Sequence, residues 1–159
     1  MSVIIREAVS NDAKTIYDFI VELALYEKEP DAVKTTVEET REKIFGENST
    51  VKAIICEENG VPVGHAIFFY NYSTWLGKNG IYLEDLYVSE KKRGLGAGKA
   101  MLKYLAKKAL SEDCGRFEWS CLDWNTPSRN FYENIGAKSL DEWVGYRLEG
   151  EDLINFAKS

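Results

Sequence analysis

The sequence predicts a single α/β domain built on a mixed sheet, and three observations carry that prediction. The chain has 159 residues, the length of one ordinary domain. Its 45% hydrophobic content, with aromatics at 13%, is enough for one sizeable core. Runs of strand periodicity alternate with runs of helical periodicity in the order β, α, α, β, β, β, α, β, α, β, with no linker and no repeat.

Each element has a local cause. Val3 to Glu7 is a short β-prone run, and Asn11-Asp12 then offers a cap for a helix with apolar residues at Ile16, Phe19, Ile20, Leu23 and Tyr26. Thr36-Val37-Glu38-Glu39 has the form of a capping box, with Ile44 and Phe45 near the end of that second helix and Gly46 to stop it. VKAIIC and VPVGHAIFFY flank Glu58-Asn59-Gly60, where Asn-Gly supplies the positive φ angles of a tight hairpin turn. A third strand of this region runs from Ile81 to Val88. A glycine-rich turn leads from it into a helix with Leu102, Leu105, Ala106 and Ala109 on one face and lysines on the other. Phe117, Trp119 and Cys121 alternate with Glu118 and Ser120 as a further strand. Thr126-Pro127 opens a short helix, with proline at its first position, and Gly136 closes it. A last strand is expected near Trp143 to Leu148.

Charge and composition narrow the partners. A net charge of -6, from 26 acidic against 20 basic residues, disfavours nucleic acid, because phosphate neutralisation needs a clustered basic excess. Cationic small molecules are the better match. The N-terminal MSVIIREAVS lacks both an apolar h-region and a charged n-region, and no window approaches ~18 uninterrupted apolar residues, so the expectation is a cytoplasmic protein without membrane contact. Cys56, Cys114 and Cys121 lack CxxC spacing, which argues against a disulfide framework or a zinc site. They are expected reduced and mostly buried.

The stretch Lys91-Lys92-Arg93-Gly94-Leu95-Gly96-Ala97-Gly98-Lys99 fits neither familiar nucleotide cradle. The glycine spacing differs from GxGxxG and falls in the second half of the chain. A P-loop would need one more residue before Gly98-Lys99 and a Ser or Thr where Ala100 stands. What remains is a strand, a basic glycine turn and a helix N-terminus, which together aim free N–H groups and a positive dipole end at an anion. A plain glycine-rich connector with solvated lysines has the same sequence.

Arg93-Gly94-Leu95-Gly96-Ala97-Gly98 matches the R/Q-x-x-G-x-G/A signature of the GNAT acetyltransferase superfamily, and it has company. Tyr82-Leu83-Glu84-Asp85-Leu86-Tyr87-Val88 resembles that family's central strand. Asn125-Thr126-Pro127-Ser128, followed by Phe131-Tyr132 and Gly136-Ala137, resembles its late N-x-P-S-x-x-F-Y segment. Over the whole chain the resemblance is strongest to the diamine (spermidine/spermine) acetyltransferases and their thialysine-acetylating relatives, through Glu22 to Glu27, Trp75 to Lys78 and Tyr-Leu-Glu-Asp.

The resemblance implies a GNAT (acyl-CoA N-acyltransferase) fold over residues 1–159. Its sheet would be mixed and mostly antiparallel, with a splayed central strand that carries a bulge and with flanking helices. It implies direct transfer from acetyl-CoA to a primary amine of a small cationic acceptor in a ternary complex, and a homodimer. Coenzyme A would contact Leu86, Tyr87, Val88, Arg93, Gly94, Leu95, Gly96, Ala97, Gly98, Lys99, Asn125 and Ser128. The acceptor would meet Tyr26, Glu27, Trp75, Glu84 and Asp85. Glu84 would act as base through water and Tyr132 as proton donor to the leaving thiolate, since an alkylamine with a pKa of about 10 is mostly protonated at neutral pH.

The residues alone leave alternatives. Glu27 lies on the apolar face of its helix by periodicity, or beyond the end of a helix that stops near Tyr26. Asn125 is a coenzyme contact or a helix cap. Tyr132 is an acid or an aromatic core residue. His65, the chain's single histidine, is structural. The segment Trp143-Val144-Gly145-Tyr146-Arg147 lacks a carboxylate and a tryptophan that the mammalian polyamine enzymes carry, which weakens the case for spermine and leaves shorter diamines, lysine and thialysine compatible. A peptide-lysine acetyltransferase and a silent acetyl-CoA-binding domain are the rival readings.

Overall fold

In a computed structural model that describes residues 2–159, the chain divides into two compact units, one ending at Ser120 and one comprising Cys121–Ser159. The first is built on a five-stranded sheet in the order β1 (Ile4–Glu7), β2 (Lys52–Glu58), β3 (Val61–Ser73), β4 (Lys78–Val88), β5 (Arg116–Trp119). Neighbouring pairs from β1 to β4 are antiparallel and β4 with β5 is parallel. The β2–β3 turn forms as expected: Glu58 pairs with Val61, and Asn59 and Gly60 take φ angles of 53° and 77°.

Helix α1 (Ala13–Tyr26) buries Ala13, Ile16 and Phe19. Ile16 joins Ala53, Ile55 and Ile67 in a cluster against which Ile20, Ile44 and Phe45 pack. The expected cap residue Asp12 does not cap α1. Its carboxylate accepts the Val9 N–H at 2.7 Å and both Arg6 Nη groups at 2.8 Å, so it braces the turn that feeds the helix. Helix α2 (Val37–Phe45) begins at Thr36, whose hydroxyl accepts the Glu39 N–H at 3.1 Å. Helix α3 (Ala97–Ser111) buries Ala97, Met101, Leu102, Leu105 and Ala109. Ala106 is exposed; Met101, not Ala106, completes the apolar stripe.

Strand β4 carries the feature that shapes the site. Ile67 faces Asp85 while Phe68 faces Leu83, so Glu84 is an extra residue, a β-bulge. The bulge reverses the alternation. Before it, Tyr82 stands opposite Phe69; after it, Asp85 and Tyr87 stand opposite Ile67 and His65 on that same face. This is the α1 face, since Phe19 packs at 5.3 Å from His65 and 5.7 Å from Tyr87, centroid to centroid. Pairing with β5 stops at Leu83–Trp119, so β4 runs on to Val88 with β3 alone, the expected splay.

The second unit holds α4 (Thr126–Asn134) and α5 (Gly150–Lys158). Asn125 caps α4, its side-chain oxygen accepting the Ser128 N–H at 3.4 Å. Pro127 lies in the first turn, one place later than expected, and Gly136 at φ 97° ends the helix. The strand expected near Trp143 to Leu148 does not form. The stretch has β-prone composition but no ladder partner among the described residues, and Tyr146 is 95% exposed. The strand expected through Cys121 also stops at Trp119. α5 was not anticipated, although Glu151 and Asp152 in its first turn and Lys158 in its last are helix-dipole signals. All three cysteines are free; Cys56 and Cys114 are buried and Cys121 is exposed.

His65 is structural in an unusual sense. It is fully buried, and neither ring nitrogen has a hydrogen-bond partner. Burial pushes its pKa down to about 3 from the ordinary 6.5. The unfolded imidazole takes up a proton below its ordinary value while the folded one stays neutral until about 3, so acidification through that window favours the unfolded chain. His65→Leu should raise stability at neutral pH by about 1–2 kcal/mol. It should also flatten the loss on going from pH 7 to pH 4. Urea unfolding of parent and variant across pH checks both, and an unchanged difference between the two proteins across pH rejects the account.

Candidate active site

Three carboxylates converge at the bulge of β4. Glu84, the extra residue, is exposed, whereas Asp85 is turned toward α1 and half-buried. α1 ends at Tyr26, and Glu27 is its C-cap, with its N–H bonded to Leu23 O at 2.9 Å. Both sequence expectations for Glu27 therefore hold in part: the helix ends before it, yet the side chain is half-buried and burial raises its pKa. Asp85 is pushed up to about 6 by burial first, then by the negative charges of Glu84 and Glu27. A carboxyl with that pKa in a cleft is suited to accept a proton near neutral pH. Sequence reasoning assigned Asp85 to acceptor binding alone. Its perturbation depends on the phase switch at the bulge and on Glu27, neither of which sequence spacing displays.

Along the splayed end of β4, Leu86 and Val88 are half-buried and Tyr87 is buried. The Tyr87 hydroxyl donates to Glu22 Oε1 at 3.0 Å, and burial followed by this carboxylate raises its pKa to about 12. A 3-10 turn, Glu90–Lys92, follows the strand and is held by Lys92 Nζ on the buried Glu58 at 3.2 Å. Arg93 comes next. Its Nε donates to Val88 O at 3.1 Å, and its guanidinium carbon lies 4.8 Å from the Tyr26 ring centroid and 5.6 Å from that of Tyr87. This link between the glycine turn and Tyr26 was not legible in the sequence.

Gly94 and Gly96 adopt φ angles of 91° and 79°, and a Cβ at either would meet nothing within 4 Å. The turn thus needs glycine for its backbone and leaves open space beside it. Gly96 caps α3 without a side-chain bond, and the first intrahelical bond is Ala100 N–H to Gly96 O at 2.9 Å. The N–H groups of Ala97, Gly98 and Lys99 therefore have no intrahelical acceptor. Leu95 is half-buried beneath the turn and Lys99 is exposed in the first turn of the helix. This donor set and its basic neighbours fit a diphosphate group.

One expected site residue of the first unit stands elsewhere. Trp75 is 88% exposed at the β3–β4 hairpin tip. With a rise of about 3.3 Å per residue, Lys78 at the base of that tip is roughly 20 Å from Asp85 along β4, so one chain does not bring Trp75 to the carboxylates. Tyr132, Asn125 and Ser128 belong to the second unit. Within it Tyr132 is half-buried beside Phe131, ring centroids 5.7 Å apart, and Ser128 N–H is bound by the capping Asn125.

No helix among the described residues is long and apolar enough to cross a membrane. The model of the acetyltransferase (GNAT) family matches residues 14–137. The chain is 40% identical to thialysine N-epsilon-acetyltransferase of Sus scrofa, over 98% of each protein. It is 34% identical to spermidine/spermine N(1)-acetyltransferase-like protein 1 of Homo sapiens, over 96% of this chain and 23% of that protein. An integron cassette protein from the mobile metagenome of V. cholerae has a similar structure, with a TM-score of 0.85 and 29% identity over 100% of this chain and 99% of that one.

The Asp85 carboxyl carbon should titrate near pH 6 in carbon-13 NMR of the ligand-free protein. Glu27→Gln should lower that midpoint by removing a like charge. A midpoint that stays in place in the variant rejects the coupling.

Proposed function

The chain belongs to the acetyltransferase (GNAT) family and is an N-acetyltransferase, and on that premise we propose that it moves an acetyl group from acetyl-CoA to a primary amine of a small cationic acceptor. The acceptor class is a diamine, a polyamine or a lysine-like amino acid. The observation that carries this reading is the group of mutually interacting carboxylates Glu27, Glu84 and Asp85 at the bulge of a splayed strand, with Asp85 on its α1 face. One charge in such a group attracts an ammonium, and a second can take the proton from the nitrogen that reacts.

When bound, acetyl-CoA supplies an activated acetyl thioester. The N–H groups of Ala97, Gly98 and Lys99, with the open backbone at Gly94 and Gly96, hold its diphosphate. The splayed Leu86–Val88 segment, unpaired on the β5 side, offers backbone groups to the acetyl and pantetheine portion, and in this reading the Leu86 N–H polarises the thioester carbonyl. Asp85 accepts the proton from the amine, directly or by way of water held at the exposed Glu84. Glu27 and Tyr26 bind the acceptor's distal ammonium. Tyr132 donates a proton to the departing sulfur. The family match runs across the boundary between the two units, which supports reading residues 1–159 as one acetyltransferase domain.

One relative named above acts on thialysine by name and another is named as spermidine/spermine acetyltransferase-like, and the lack of a carboxylate in the segment 143–147 favours the amino-acid side of that range. We further propose a homodimer, with the exposed Trp143, Tyr146 and Phe156 as apolar material for contact. Sedimentation equilibrium at micromolar protein should return twice the chain mass; the single chain mass rejects the dimer.

Thiol release from acetyl-CoA should be measured with putrescine, spermidine, spermine, lysine, thialysine and a lysine-containing peptide. Turnover confined to small amines with a second charge supports the reading, and preference for the peptide overturns it. Tyr132→Phe should lower kcat by about 10²-fold or more with little change in coenzyme A affinity. An unchanged kcat removes Tyr132 from the acid role. Activity should fall as pH drops through about 6, where Asp85 becomes protonated, and Asp85→Asn should lose that limb.

A further inference from the structure

We infer that Arg93 is a positioning residue that ties the glycine turn to the acceptor side of the site, so that donor and amine each affect the binding of the other. The inference rests on the proposed acetyl transfer and concerns how its two halves communicate.

Arg93 occupies the joint between the 3-10 turn Glu90–Lys92 and Gly94. Its guanidinium carbon lies 4.8 Å from the Tyr26 ring centroid and 5.6 Å from that of Tyr87, both within cation–π range. Of its edge, Nε is engaged by Val88 O, which leaves the terminal N–H groups for an anion at the turn. A planar guanidinium can stack and donate at once; an ammonium has no face to stack.

The rings it covers belong to the acceptor side. Tyr26 is the last residue of α1 and directly precedes Glu27. Tyr87 is held to α1 twice, through its hydroxyl on Glu22 and its ring against Phe19. The last turns of α1, the splayed end of β4 and the glycine turn therefore meet at a single cation. On the other side, Lys92 on the buried Glu58 limits how far the turn can move independently. An anion that orders the Arg93 guanidinium also orders the two rings in contact with it, and with them the backbone that carries Glu27. Linkage then requires that a change at Tyr26 be felt at the diphosphate.

The test uses calorimetric titration of coenzyme A and steady-state kinetics on the full-length parent and on Arg93→Gln, Tyr26→Leu, Tyr26→Phe and the Arg93→Gln/Tyr26→Leu pair. Tyr26→Leu, outside the glycine turn, should weaken coenzyme A binding roughly three- to tenfold, while Tyr26→Phe, which keeps the ring, should stay near the parent. The pair should lose no more coenzyme A affinity than Arg93→Gln alone. At saturating acetyl-CoA, Arg93→Gln should still raise the amine KM with kcat within about twofold, which a purely phosphate-binding arginine would not do. Unchanged coenzyme A affinity in Tyr26→Leu, or fully additive losses, overturns the inference. A parent that binds no coenzyme A strikes the proposed function instead. Hydrogen exchange at the Glu27 and Glu29 amides of the ligand-free protein then decides the link, expected several-fold faster in Arg93→Gln and unchanged if the link is absent.

Discussion

Strand β4 must stay paired with β3 to the end of the sheet while it parts from β5, and the bulge at Glu84 is what reconciles the two. One inserted residue moves Asp85 from the α3 face to the α1 face and carries Tyr87 with it. Had the alternation continued unbroken, Leu86 would face Phe19 and Asp85 would sit with Leu83 against the core packed under α3, where an ionised carboxylate is costly. The parting from β5 leaves the polar backbone beyond Leu83 without a ladder on that side, a cost that a ligand pairing with those groups offsets. The site is thus a consequence of how one strand ends its pairing.

The same displacement sets the electrostatics. Asp85 and Glu27 reach one another only because the strand presents Asp85 to α1 just where that helix stops. Two half-buried acids beside an exposed third disfavour full ionisation, and Asp85 bears most of that pressure. A cation relieves it. The chain's acidic balance of -6 and this local group of carboxylates both suit a cationic partner.

The turn that follows β4 is basic. It concentrates Lys91, Lys92, Arg93 and Lys99 around free helix N–H groups, so a cation-seeking group and an anion-seeking one lie a few residues apart along the same splayed segment. Tyr87 stands between them, bonded to Glu22 and facing Arg93. The core histidine beneath it, neutral and unpartnered, keeps this region apolar without adding charge to it.

The glycine turn, the Asn-Gly hairpin, the cap at Thr36 and the helical stripe of α1 are all local, and the sequence by itself determined them. Each depends on φ angles or on side chains within a few residues, which spacing exposes directly. The family was legible for the same reason, because its motifs are contiguous. The expected strand near Trp143 failed because a strand exists only with a partner, and composition does not supply one. The exposure of Ala106, the distance of Trp75 from the carboxylates, the coupling of Asp85 to Glu27 and the stacking of Arg93 on Tyr26 were decided by the tertiary structure alone. Each joins residues far apart in the chain, and where they meet is set by sheet register and by the single extra residue at Glu84, which no local pattern announces.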